Sequence, residues 1–303
     1  MLKDIVSGVK AQVSEKILNR EFLTEMALAS FFAGGHILLT GGVGLGKKAW
    51  TKAIAGALGL SWEQVRLDED SSLYDAIVPH EIKTESHVSN TGTQPLLSQV
   101  FLAEGIAALQ PRLQAFFADA MEETTISLYD RTYQRVEPFF LIATKGDAGN
   151  LSGCLNDRFM MQLPLTYPGV AAEKQLLQMH HNGEPMPSLY PVCNPEAIIQ
   201  AKEEVQAVTV DEAIFNNIVS IAETTRRVGA VITGASPRGS IALLQASKAY
   251  AAIQGRNYVT QEDVRTVAMP VLRHRLKLKP EAVKEGLEPD YIVESILAGK
   301  GPV

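Results

Sequence analysis

The run Gly41-Gly42-Val43-Gly44-Leu45-Gly46-Lys47-Lys48 has the glycines and the lysine of a phosphate-binding loop, but ends on a second lysine where the pattern has Ser or Thr. In such a loop backbone N–H groups close around a polyphosphate, the lysine meets the β- and γ-phosphates, and the final hydroxyl ligates magnesium. A protonated lysine has no lone pair for a hard cation, so Lys48 removes that ligand. The run therefore implies phosphate binding through Gly41, Gly44, Leu45, Gly46, Lys47, Lys48 and Ala49, and speaks only faintly for hydrolysis. Two outcomes stay open for Lys48. Its ammonium neutralises a phosphate oxygen in place of the metal, or it points to solvent and the site is degenerate.

A loop of this kind must sit between a strand and a helix, and both flanks fit. His36-Ile37-Leu38-Leu39 is a continuously apolar run suited to a strand buried on both faces. Beyond the loop, Ala49, Trp50, Ala53, Ile54, Ala57 and Leu58 recur at helical spacing, and Gly59 is a C-terminal stop. The helix would aim its N–H groups and positive dipole end at the loop. Further buried strands are predicted at 64–67, 100–103, 139–144 and 160–163, with hairpins at 81–93 and 125–137. The pattern predicts a layered α/β core with a parallel sheet flanked by helices over residues 1–167. Beyond 165 the strand signals stop. A proline-bearing transition holds one short helix at 171–179, and helices follow at 210–225, 240–253, 260–276 and 292–297. Residues 168–303 are thus expected to form a small all-helical lid.

With these elements in place, the chain resembles the MoxR family of AAA+ ATPases over nearly its whole length. The resemblance is carried by Ala33-Gly34-Gly35-His36-Ile37-Leu38-Leu39, by the segment with Asp70 and Asp75, and by Pro95 through Ala120-Met121-Glu122-Glu123. It continues in Pro138-Phe139-Phe140, Asn156-Asp157-Arg158-Phe159, Gly234-Ala235-Ser236-Pro237-Arg238 and Val271-Leu272-Arg273-His274-Arg275-Leu276. It implies an AAA+ P-loop core with a helical lid, ATP or ADP as ligand, and a homo- or hetero-hexameric ring. A von Willebrand A domain protein as partner and a protein client are implied too, in the assembly or remodelling of a complex. Arg158 falls in the arginine-finger motif, able to reach a neighbouring subunit's nucleotide or to pair locally. Arg238, behind the Ser236-Pro237 helix start, takes the sensor 2 role toward a γ-phosphate.

The departures from the family gather on one reaction step. Where the Walker B strand should end in Asp-Glu stand Glu104 and Gly105, so Glu104 keeps the metal-side position and the catalytic carboxylate is missing. Where the sensor 1 strand should end Ala-Thr-Gln-Asn-Pro stands Ala143-Thr144-Lys145-Gly146-Asp147, without the water-orienting amide. Asn19 replaces a glycine beside the adenine pocket and can take a left-handed backbone. With Lys48 these changes remove the metal's hydroxyl, the base and the amide. Loss of a positioned base alone costs on the order of 10²–10⁴ in rate. Slow or absent hydrolysis is expected, with an active ATPase chaperone as the alternative, and Glu104 is a weak candidate for magnesium.

Composition narrows the surroundings. A net charge of −6 and a pI near 5.6 argue against general nucleic-acid affinity. Two cysteines, Cys154 and Cys193, far apart, fit a reducing compartment and no disulfide framework. With no bilayer-length apolar run and no signal-like block, the cytoplasm is the expected location. His180-His181 lacks companions at ligand spacing, so no metal site is read there.

Overall fold

A computed structural model describes residues 1–72, 98–128, 131–146, 149–182 and 188–299. The hairpin expected at 81–93, Asp75, Pro95 and Asp147 lie outside the described residues.

The chain opens with α1 (Leu2–Lys16) and α2 (Glu21–Phe32), then β1 (Ile37–Thr40), α3 (Lys47–Leu58) and β2 (Trp62–Arg66). After these come β3 (Val100–Glu104), α4 (Pro111–Glu122), the hairpin β4 (Thr125–Leu128) and β5 (Arg131–Gln134), β6 (Phe140–Thr144), α5 (Gly153–Arg158) and β7 (Met161–Pro164). All five expected strands form, each within two residues of its expected ends, and they make one parallel sheet in the order β2-β3-β6-β1-β7. The three central strands, β3, β6 and β1, are apolar on both faces because both are covered, whereas the edge strands β2 and β7 carry Glu63, Gln64, Arg66 and Gln162. Ile37, Leu39, Val100, Leu102, Phe140 and Ile142 enter one apolar cluster, and Leu38, Phe101, Ala103, Leu141 and Ala143 enter the other.

The helical part comprises α6 (Val170–His181), α7 (Pro195–Gln206), α8 (Glu212–Arg227), α9 (Pro237–Ile253), α10 (Gln261–Leu272), α11 (Pro280–Lys284) and α12 (Pro289–Leu297). The helical part differs from the sequence expectation in several places: α10 stops at Leu272 rather than 276, and α11 is a short helix the pattern did not suggest. A two-stranded ribbon, β8 (Val231–Thr233) with β9 (Lys277–Leu278), lies among these helices, too short to leave an alternating pattern. And α7 forms inside the proline-bearing transition, because Pro195 occupies the first helical turn and the Asn194 side chain accepts from the Ala197 N–H as its cap. The cluster on the α1–α2 face of the sheet runs on into α8, α9 and α10 through Ile218, Ala246 and Val264, so lid and core share apolar packing. Among the described residues no helix is long and apolar enough to cross a membrane.

Candidate functional site

β1 delivers the chain to Gly41 and α3 begins at Lys47, so the loop stands between strand and helix. Gly41 has φ 135°, and a Cβ there would come 2.3 Å from the Leu165 carbonyl oxygen. Only glycine lets the loop pass β7's end so closely. Gly44 and Gly46 have φ 84° and 81° with open space beside them. Leu45 anchors the loop by packing against the larger apolar cluster. The Lys47 Nζ donates to the carbonyls of Gly41 at 2.8 Å and Gly42 at 3.0 Å, arching over the loop. Lys48 and Ala49 are exposed, and Lys48 makes no hydrogen bond or ion pair among the described residues. The first turn of α3 carries two lysines, no acid and no side-chain cap. Two ammonium groups at the positive end of a helix dipole repel one another and the dipole, an arrangement that an anion relieves.

Across the sheet the positions that would manage metal and water are occupied otherwise. Glu104 ends β3, but its carboxylate accepts from Gln64 Nε2 at 2.6 Å and Arg66 Nε at 3.3 Å. Both donors belong to β2, on the side of β3 away from β6 and β1. Gly105 has φ 81°, and a Cβ on it would lie 2.5 Å from the Leu67 carbonyl oxygen. Its N–H is held by the Thr144 carbonyl and hydroxyl oxygens at 3.1 and 3.0 Å. Gly146 faces it closely, since a Cβ there would sit 3.5 Å from Gly105 Cα. The Lys145 N–H donates to Leu39 O, which sets an exposed lysine beside the loop's entry strand. These residues do not fit a divalent cation: Lys48 offers an ammonium, the Glu104 carboxylate is engaged by β2, and Gly105 has no side chain. Among the described residues no group of three or more His, Cys, Asp or Glu could hold a metal ion.

The two arginines singled out in the sequence meet each other's partner rather than the loop. Arg158, at the end of α5 and 13% exposed, pairs with Glu122 and, at 3.7 Å, with Asp119 of α4. Arg238, in the first turn of α9, donates to the other oxygen of Glu122 at 2.9 Å and lies 3.9 Å from Asp157. Ser236 caps α9 by accepting from the Gly239 N–H, while its hydroxyl donates to Asp157 at 2.8 Å. Arg275 reaches the same carboxylate at 3.1 Å and donates to the carbonyls of Asp157, Met160 and Phe159. Burial pulls the Arg275 pKa down to about 10, with the Asp157 carboxylate opposing. Sequence reasoning missed Glu122 and Asp157 as bridges, and Lys145 as an exposed residue whose backbone pairs with β1. The first two lay in quoted motifs, but only folding brings them to their arginines. Asn19 has φ 56° as its residue type allows, and its side chain donates at 2.8 Å to Pro168 O, four residues beyond β7.

Residues 36–161 match the model of the ATPase family associated with various cellular activities (AAA), and residues 223–296 match the AAA lid domain. Protein YeaC of Bacillus subtilis is 32% identical, over 100% of this chain and 96% of that protein. Chaperone MoxR1 of Mycobacterium tuberculosis is 25% identical, over 94% of this chain and 79% of its own length. A crystal structure of an ATPase from Cytophaga hutchinsonii superposes with a TM-score of 0.88 at 26% identity, covering 98% of this chain and 94% of that one.

Proposed function

Because the chain belongs to the MoxR family of AAA+ ATPases, we propose that it binds ATP or ADP in the Gly41–Ala49 loop and serves the assembly or remodelling of a protein complex with little or no hydrolysis of its own. The observation that carries the reading is the pairing of an intact anion cradle with two facing glycines, Gly105 and Gly146, where a base and an amide would act on water. Lys47 would leave the Gly41 and Gly42 carbonyls to meet the phosphates. Arg238, 45% exposed and paired with a half-exposed Glu122, is held weakly enough to be recruited by a γ-phosphate. Arg158, in a ring, would serve a neighbour's nucleotide after leaving the same carboxylate. A hexameric ring, a von Willebrand A domain partner, a protein client and a cytoplasmic setting complete the proposal. In a mixed ring this chain would be the passive subunit.

The second reading, an active remodelling ATPase, draws on the relative named a chaperone and on the retained Lys47 and Arg238. Steady-state hydrolysis separates the two. The isolated protein is expected to turn over below about 0.1 per second, a hundredfold or more under a typical enzyme. It should nonetheless bind nucleotide, and Lys47→Ala should weaken that binding about 10- to 100-fold through the lost charge-assisted contact. Robust turnover by the isolated chain, abolished by Lys47→Ala, sinks the passive reading.

A further inference from the structure

We propose that this site takes its nucleotide as the metal-free polyphosphate anion, with the Lys48 ammonium standing where the divalent cation is otherwise held. The inference rests on the reading of the loop as a nucleotide site and goes beyond it, since that reading is indifferent to metal.

Three separate observations lead here. Lys48 is the second residue of α3, exposed and without a partner among the described residues, at the position from which a Ser or Thr hydroxyl would ligate magnesium. Glu104, the one carboxylate left at the metal side, has its carboxylate bonded to Gln64 and Arg66 of β2. Gly105 and Gly146 contribute no oxygen from a side chain, and at Gly105 the backbone excludes one. Magnesium requires a near-octahedral shell of oxygens and gives up its waters reluctantly, so a site stripped of carboxylate and hydroxyl and furnished with an ammonium disfavours it twice, by missing ligands and by like charge. The free nucleotide polyphosphate carries more negative charge than its magnesium complex. That surplus matches the two lysines at the start of α3, the positive end of its dipole, and Lys145 beside β1. A lysine is a compact point charge with three donors, able to bridge non-bridging phosphate oxygens as the cation does.

The test is calorimetric titration of the full chain with ATP and with ADP, once in magnesium and once in excess EDTA. The affinity in EDTA is expected to stay within about fivefold of that in magnesium. A larger fall overturns the inference while leaving the nucleotide reading in place, because binding with the metal has then been seen. Binding in neither buffer overturns both. Lys48→Thr, which restores the hydroxyl at an exposed helix start, supplies the second arm, with its melting curve as the check on folding. Its affinity in EDTA should fall more than about fivefold and recover on adding magnesium; an unchanged affinity in EDTA removes Lys48 from the role and overturns the inference.

Discussion

Gly105 shows at the scale of one residue why the fold leaves no room for a carboxylate there. The chain turns there with φ 81°, Leu67 O occupies the space of a Cβ, and Thr144 holds the N–H. Restoring a glutamate would force a left-handed, clashing backbone, a strain of roughly 1–3 kcal/mol. Gly105→Glu is therefore expected to unfold at lower denaturant than the wild type and to gain no turnover, checked by urea melts beside a phosphate-release assay. A stable variant with rapid hydrolysis would contradict this account. That position 105 lacks a carboxylate was plain in the sequence. That Glu104 leans to β2 was not, because its orientation is set by Gln64 and Arg66, forty and thirty-eight positions earlier in the chain.

Among elements, the joint between core and lid is built on Asp157 at the end of α5. Its carboxylate receives the Ser236 hydroxyl at the start of α9 and the Arg275 guanidinium just beyond α10. The Arg275 side chain is 1% exposed, so removing its counter-charge strands a buried cation. Asp157→Ala should cost about 3 kcal/mol in chemical denaturation, tempered only by the carbonyls that Arg275 also bonds. A loss under about 1 kcal/mol would show that those carbonyls suffice. The strands and most helices were legible in the sequence because doubly buried strands read as apolar runs and lid helices carry caps, as with Thr260 and Asp263, which form a reciprocal capping box. The helix α7 was not, because its proline opens a helix where the surrounding prolines suggested an interruption.

For the whole molecule the buried histidines link stability to acid. His36 lies buried just before β1, its Nδ1 accepting from the Leu141 N–H and its Nε2 placed to donate to Met121 O, both at 3.1 Å. Burial, helped by Arg135 and Lys202 and opposed by the Met121 bond, lowers its pKa from 6.5 to about 4. Burial lowers His274 as well, well below its ordinary value. The unfolded chain takes up these protons as pH falls through 6.5, whereas the folded chain keeps His36 neutral until about 4, so stability is full above 6.5 and drains away between the two. At pH 5 His36 alone should have cost about 2 kcal/mol relative to pH 7. Urea melts at the two values check this, and His36→Gln should shrink the difference; equal wild-type stability at both would refute it. The sequence by itself determined the sheet, the lid and the glycine loop with its two lysines, because apolar periodicity, caps and glycine spacing act over a few neighbouring residues. Only the tertiary structure decided where the charges point: Glu122 shared by Arg158 and Arg238, Asp157 between Ser236 and Arg275, and Glu104 turned to β2. Those pairings join residues far apart in the chain, and a charge's partner is fixed by what the fold brings within a few ångströms of it.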